Sequence, residues 1–438
     1  MHWTPSNYTS VRVSYSKIIN AIEIKPRKEL IFTGQGIGRV LWTDIISHTD
    51  IPSSNCSHMD GYVVKYSDIQ RISQQGPIKL KMVTGRKDDK SKKQPLRRGQ
   101  TFRVSTGEVL PPLGDTVVPV EYASFDAKDD TILIQKDLAK GSFVSSKGSE
   151  IARKDLILNK GHVLRVQDLG LVSMLGIRKI KIFKRPRVAI IPTGNELTKE
   201  INDIKRGKIL NTNSRVISNL IETSGGAALD LGITPDSIHK IKNKIRLALS
   251  QSDIILTTGG SSVGLRDLVA ESIDEIGKPG VLVHGVKLDR GRVTGLAALR
   301  RKPVIILPGP IQGAVNAFIV FAQPLIRLML GLHPFAVPFI SAKLTEDWNA
   351  RKKFKDFTKI VYVNISLSKS GEFYANPVSG ETTDISVLTG TNGFIFVPED
   401  LTMLNKGQKV RINIFPGLSV SSGQIEFPSM SGKSFLPF

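Results

Sequence analysis

The chain has 438 residues, 40% of them hydrophobic, and carries 61 Lys and Arg against 39 Asp and Glu, a formal charge of +22. That length predicts two to four domains rather than one core, and the charge favours anionic partners: phosphorylated small molecules, nucleic acid or acidic membrane surfaces. The single cysteine, Cys56, excludes an intrachain disulfide and a cysteine-rich zinc site, and the seven histidines form no HExxH pair.

The first twenty residues contain no apolar core of signal-peptide length, and no uninterrupted apolar run of about 18 residues occurs. A cytoplasmic protein without a transmembrane helix is therefore expected. Residues 15–48 mix helical spacing (Ile18, Ile19, Ile22) with a short apolar stretch at Gly38–Trp42. A polar loop follows, ending in Met59-Asp60-Gly61 ahead of the apolar Tyr62-Val63-Val64. A carboxylate closing such a loop suits either a binding loop or a plain turn. From residue 62 to 146 short strand-like runs alternate with turns, the rhythm of a small β domain, and Ser105-Thr106-Gly107 closes one of its strands. Basic residues concentrate between Lys79 and Arg98. Without interleaved aromatics that run reads as a solvated loop, and nucleic-acid binding is not expected.

The middle of the chain changes pattern. Apolar strands at Arg187–Pro192, Ala227–Ile233, Asp253–Thr258 and Val304–Leu307 alternate with helical spacing at Ser214–Thr223, Ile238–Leu249 and Gly313–Leu330. This implies a parallel sheet covered on both faces, whose ligand crevice lies outside the carboxyl ends of its strands. Three turns meet that description: Thr193-Gly194-Asn195-Glu196, the stretch from Gly259 to Asp267, and Pro308-Gly309-Pro310. The second, Gly259-Gly260-Ser261-Ser262-Val263-Gly264, offers backbone N–H groups at a helix start, which suits a phosphate or another oxyanion. The same glycines would serve a tight strand-to-helix turn with nothing bound. Together the three turns supply glycines, hydroxyls, and the carboxylates Glu196 and Asp267, able to hold Mg²⁺ alongside substrate phosphates. A second β rhythm fills residues 339–414, and a Ser-, Gly- and Pro-rich tail follows, expected to fray.

These motifs carry a resemblance. Cys56-Ser57-His58-Met59-Asp60-Gly61-Tyr62, Thr106-Gly107-Glu108 with Gly114-Asp115-Thr116-Val117-Val118, Thr193-Gly194-Asn195-Glu196-Leu197, and the glycine turn followed by Asp267 stand in the order seen in the molybdopterin molybdenumtransferases. The chain resembles that family, which includes the C-terminal domain of gephyrin, over residues 15–415. The resemblance implies a multidomain α/β plus β fold. A central α/β molybdopterin-binding-like domain with a parallel or mixed sheet (186–332) would be flanked by a small β lid domain (47–146) and a C-terminal β-barrel-like domain (333–417). Residues 14–46 and 147–185 would form an elongated dimerisation domain, and 418–438 a flexible tail. The implied reaction inserts molybdate, or tungstate, into adenylylated molybdopterin with Mg²⁺ and releases AMP. It implies a homodimer whose site is shared between subunits, so that Asp60 and Thr106 serve the partner's crevice. The adenylyltransferase acting one step earlier is a further expected partner.

By the same resemblance Asp60, Thr106, Glu196, Asp236 and Asp267 are the catalytic candidates, with Glu196, Asp236 and Asp267 as metal ligands. Thr193, Gly194, Gly259, Gly260, Ser261, Ser262, Gly264, Lys287, Arg290, Arg292, Pro308, Gly309 and Lys359 are candidates for substrate contact. For any single carboxylate a helix cap or surface ion pair is the competing reading. Asp236 is most open to it, since Thr234-Pro235-Asp236-Ser237 also reads as a helix entry. Glu150 stands where an Asp is usual. Three departures fall beside the crevice. The family's Lys-Pro-Gly-Lys-Pro reads Asp289-Arg290-Gly291-Arg292-Val293, Leu-Pro-Gly-Asn-Pro reads Leu307-Pro308-Gly309-Pro310-Ile311, and an acid is replaced by Leu265. An Arg fork does not sit as a Lys point charge does. A non-catalytic paralogue that binds molybdopterin as carrier or scaffold is the alternative expectation.

Overall fold

A computed structural model describes residues 8–83, 94–259, 267–368 and 370–415. The described chain divides into two compact units, one formed by Ile31–Ile37 with Thr43–Ile180, the other by the described parts of Met1–Leu30, Gly38–Trp42 and Lys181–Phe438.

The first unit is built on a six-stranded sheet: β1 (Gly61–Val64), β2 (Ile78–Met82), β3 (Gln100–Val104), β4 (Thr116–Pro119), β5 (Ala123–Asp126) and β6 (Thr131–Ile134). Their order is β4-β1-β3-β2-β6-β5, and β2 and β3 are the parallel pair. Strand β1 sits inside the sheet and is buried on both faces. Tyr62 and Val64 pack with Ile69, Leu80 and Ile132 on one side, while Val63 packs with Leu96, Phe102 and Val117 on the other. The strand period of two sorts these residues. Gly61 is required, because a Cβ there would run into the Val118 carbonyl of the paired strand. Of the basic run, Lys79 and Lys81 lie in β2, and residues 84–93 fall outside the described ones.

In the second unit β7 (Arg187–Pro192), α2 (Asn213–Thr223), β8 (Ala227–Asp230), α3 (Ile238–Gln251), β9 (Ile254–Thr258) and α4 (Leu268–Ile276) alternate as expected. An antiparallel run follows, β10 (Pro279–His284), β11 (Gly295–Leu299) and β12 (Lys302–Leu307), then α5 (Ile311–Ala317). The sheet order is β8-β7-β9-β12-β11-β10, so four parallel strands continue into two antiparallel ones. Alternate residues feed two cores. Val188, Ile190, Leu256 and Ile305 meet Ile217 and Ile221 of α2, and Ala189, Ile191, Ile255 and Ile306 meet Ile241 and Ile245 of α3 with Val269 and Ile273 of α4. Helix α1 (Val11–Ala21), capped by Ser10, joins the first of these cores through Ile18. It therefore packs with the α/β core.

Helix α5 continues through a π-helical turn at Phe318–Ala322 into Gln323–Met329. Pro324 lacks the amide that a regular α-helix would need there. Among the described residues, Ile311–Met329 is the one helix long and apolar enough to cross a membrane. Most of it is buried among the α/β core residues, as a core helix is. It escapes a search for unbroken apolar runs because Gln312, Asn316, Gln323 and Arg327 punctuate it.

The C-terminal region is a closed five-stranded barrel: β13 (Phe339–Leu344), β14 (Lys359–Leu367), β15 (Phe373–Pro377), β16 (Gly393–Val397) and β17 (Lys409–Ile414), ordered β13-β15-β14-β16-β17. Ala342, Leu344, Val361, Val363, Ile395 and Ile412 fill it. Closure leaves no free sheet edge.

Candidate functional site

The site is set by strand ends. Thr193 follows β7 and donates its amide to the Thr258 carbonyl at 2.8 Å; Thr258 in turn lies opposite Leu307, the last residue of β12. The turns after β7, β9 and β12 therefore stand side by side at the carboxyl edge, the place where an α/β sheet leaves a crevice. Gly259 has φ +83, and a Cβ on it would run into the Thr193 carbonyl. A Cβ on Gly309 would lie 3.9 Å from the Gly259 Cα. At Gly259 only a glycine allows so close an approach. Gly260, Ser261, Ser262 and Gly264 fall outside the described residues.

At the first turn Gly194, with φ +148, is overlain by the Glu196 carboxylate. The Asn195 amide donates to Asp236 at 3.0 Å, and the Asp236 amide donates back to the Asn195 side-chain oxygen at 3.2 Å. This reciprocal pair ties two turns together and keeps both exposed carboxylates, Glu196 and Asp236, on that edge. Beneath them the hydroxyls of Thr193, Thr234 and Thr257 are buried without a hydrogen-bond partner among the described residues. An unpaired buried hydroxyl costs about 1–3 kcal/mol, so three of them at one sheet edge mark it as functional ground.

Asp267 is placed otherwise than expected of a metal ligand. Its side chain is buried, one oxygen accepts the amides of Val269 and Ala270 at 3.0 and 2.9 Å, and the other meets His284 Nε2 at 2.8 Å. It caps α4. Among the described residues no group of three or more His, Cys, Asp or Glu converges as a metal cage. Glu196 and Asp236 fit the ordinary Mg²⁺ arrangement of one or two carboxylates completed by substrate oxygens; Asp267 does not.

The basic turn reaches the same edge through a route that the sequence pattern does not reveal. Because β11 runs antiparallel to β12, Gly295 lies opposite Ile306, and the turn just before β11 comes to the carboxyl end of β12. A Cβ on Gly313 would lie 3.0 Å from Pro308 and 3.1 Å from the Arg290 carbonyl, which measures how tightly the two turns adjoin. Within this turn Asp289 pairs with Arg351, and Arg290 has φ +54 and donates to Gln312 Oε1 at 2.5 Å. The Arg292 guanidinium stands 5.6 Å from the centre of the Phe354 ring. A cavity of about 320 Å³ is lined by Asp289, Arg290, Arg351, Lys359, Tyr362 and Glu381, among others.

Two expected cations are otherwise engaged. Lys287 pairs with Asp356 at 2.6 Å, which raises its pKa. Lys359 is buried, with its ammonium donating to the carbonyls of Lys355 at 2.6 Å and Leu401 at 2.8 Å, and at longer range to those of Pro398 and Glu399. Desolvation lowers its pKa. Lys359 thus cements the entry to β14 and is a poor substrate contact. Arg351, Gln312, Asn316, Tyr362 and His284 are the residues that sequence reasoning missed, since lone polar residues in apolar or basic runs carry no pattern. A larger, mostly apolar groove of about 920 Å³, lined by Tyr15, Phe335, Phe394 and Phe396 among others, contains none of the expected residues.

In the other unit, Asp60 and Thr106 are brought together by strand pairing, since Asp60 precedes β1 and Thr106 follows its neighbour β3. Thr106 donates its amide and hydroxyl to one Asp60 oxygen at 2.7 and 3.0 Å. These bonds hold the Asp60 carboxyl below its usual pKa.

Three family descriptions match the chain in tandem: the MoeA N-terminal region (domain I and II) over residues 9–176, a probable molybdopterin binding domain over 189–328, and the MoeA C-terminal region (domain IV) over 341–415. The molybdopterin molybdenumtransferase of Staphylococcus aureus is 28% identical over 414 residues, covering 93% of this chain and 95% of that one. That of Staphylococcus epidermidis is 26% identical over 364 residues, 83% and 85% of the two chains. A crystal structure of a molybdopterin biosynthesis MoeA protein from Pyrococcus horikoshii superposes with a TM-score of 0.79 at 27% identity, over 94% of this chain and 100% of that one. The chain belongs to the molybdopterin molybdenumtransferase family.

Proposed function

We propose that this chain is a molybdopterin molybdenumtransferase that takes adenylylated molybdopterin and molybdate, inserts the metal into the dithiolene and releases AMP. The observation that carries the reading is the convergence of the Thr193, Gly259 and Gly309 turns with the Arg290 turn on one sheet edge. The substrates bring a pyrophosphate and an oxyanion, and such an edge offers both backbone approach and positive charge. Glycine-lined backbone takes the phosphates, while Arg290 and Arg351 attract the oxyanion to the cavity between them. Glu196 and Asp236 would hold Mg²⁺, which when bound neutralises phosphate charge. Asp267 acts indirectly, by fixing the start of α4. In a homodimer, the Asp60–Thr106 pair of one subunit would serve the crevice of the other.

The test is to incubate the purified chain with adenylylated molybdopterin, Mg²⁺ and molybdate and to measure AMP. Release that requires all three components is expected. Tight pterin binding with no AMP from either molybdate or tungstate would leave a carrier, not an enzyme. For the shared site, mixing inactive Asp60→Ala and Glu196→Ala proteins should restore part of the activity. No recovery in mixed dimers would remove that part of the proposal.

A further inference from the structure

We infer that Gln312 and Asn316 are positioning residues that set Arg290 for oxyanion binding. The inference rests on the proposed transferase reading for its ligand, and on this chain's own hydrogen bonds for its geometry. The family pattern has proline at position 290, and proline holds φ near −65°. Here Arg290 has φ +54, a conformation closed to proline and uncommon for any residue with a side chain. A turn that holds a side-chain-bearing residue at positive φ needs support from its surroundings.

The support comes from one face of α5. Gln312 and Asn316 are one helical turn apart, and both are fully buried. Gln312 Oε1 accepts from the Arg290 guanidinium at 2.5 Å, while its amide nitrogen donates to the carbonyls of Glu381 at 2.5 Å and Asp384 at 2.9 Å. Asn316 donates to the carbonyls of Asp289 at 3.3 Å and Arg290 at 3.2 Å, and accepts from the Tyr362 hydroxyl at 2.6 Å. One amide thus aims the Arg290 side chain and the other pins its backbone. A buried amide has no slack: losing it strands several polar groups at once. Gln312 leaves the remaining guanidinium donors for the cavity that Arg290 shares with Arg351.

The test is a double-mutant cycle read by molybdate binding calorimetry on the full chain. Gln312→Leu should weaken molybdate binding about tenfold, the size expected for one charge-assisted hydrogen bond. KM for molybdate should rise by a similar factor, with a smaller change in kcat. In an Arg290→Ala background the same substitution should add less than about a twofold further loss, because it acts through that arginine. Additive losses, or unaltered binding in folded Gln312→Leu protein, would overturn the inference. Should the leucine variant fail to fold, Gln312→Met keeps the side-chain length while removing the acceptor that faces Arg290. It should weaken molybdate binding as the leucine variant does, and unchanged affinity in folded protein would count against the proposal. A second readout does not depend on turnover. Phenylglyoxal labelling of Arg290, mapped by mass spectrometry, should be about fivefold faster in Gln312→Leu, as expected when a buried partner is removed. If the wild-type chain neither binds molybdate nor releases AMP, the transferase reading fails, and labelling still decides the positioning role. Equal labelling rates would end it.

Discussion

Two kinds of turn meet at the carboxyl edge of the α/β sheet and are held there by opposite means. The turns at Thr193–Glu196 and Gly259 are shaped by backbone: glycines at φ +148 and +83, strand-to-strand amides, and, at Gly259, an absence of room for a Cβ. The turn at Asp289–Arg292 is shaped by side chains from elsewhere, with Gln312 and Asn316 behind it and Arg351 across from it. A backbone-made wall tolerates change in its neighbours but none in itself. A side-chain-made wall tolerates change in itself only while its remote supports remain. This explains how the chain can depart from the family's Lys-Pro-Gly-Lys-Pro and still present arginine at the crevice.

The comparison can be broken from either side. The largest effect is expected at Gly259→Val, which adds a branched side chain at positive φ against the Thr193 carbonyl. Urea unfolding should show a loss of about 3 kcal/mol or more. A loss below 1 kcal/mol would mean that the glycine wall is not backbone-limited.

Asp267→Ala comes next, removing a buried acceptor of two helix amides and of His284, at about 3 kcal/mol. Asp267→Asn keeps an acceptor oxygen and should retain much of the AMP release. Complete loss in folded Asn protein would return Asp267 to metal binding.

On the basic side, Lys359→Met should cost about 2 kcal/mol by leaving clustered carbonyls unpaired, with molybdate affinity within about twofold of wild type. A large loss of affinity without loss of stability would make Lys359 a ligand contact after all.

The smallest effect belongs to Asp60. Its folded pKa is held below the ordinary carboxylate value, so its contribution to stability is complete above that range and lost as pH falls through the lowered value. Asp60→Asn should flatten this acid limb in thermal unfolding measured across pH. An unchanged limb would mean that the Thr106 bonds do not persist in solution.

The sequence was legible where a pattern repeats or a backbone is constrained. Short apolar runs located β1, β7, β9 and β12, helical spacing located α2 and α3, and glycine placement located the turns. The antiparallel strands β10 and β11 were not read, because Pro279–His284 and Gly295–Leu299 resemble short apolar linkers as much as strands. Missing them hid the path by which Arg290 reaches the crevice. The capping role of Asp267 was not legible for a related reason: an acid after a glycine turn looks the same whether it holds a metal or caps a helix.

By itself, then, the sequence determined the family, the alternation of strands and helices, and the glycines that crowd one sheet edge, since all of these are local or periodic. Only the tertiary structure decided which charges remain available there. Lys359, Lys287 and Asp267 are claimed by partners 69 residues away or as near as the next helical turn, and Arg290 is held by an amide from another helix. Charge is written in the chain, but its availability depends on desolvation and hydrogen bonding, which exist only once distant segments pack.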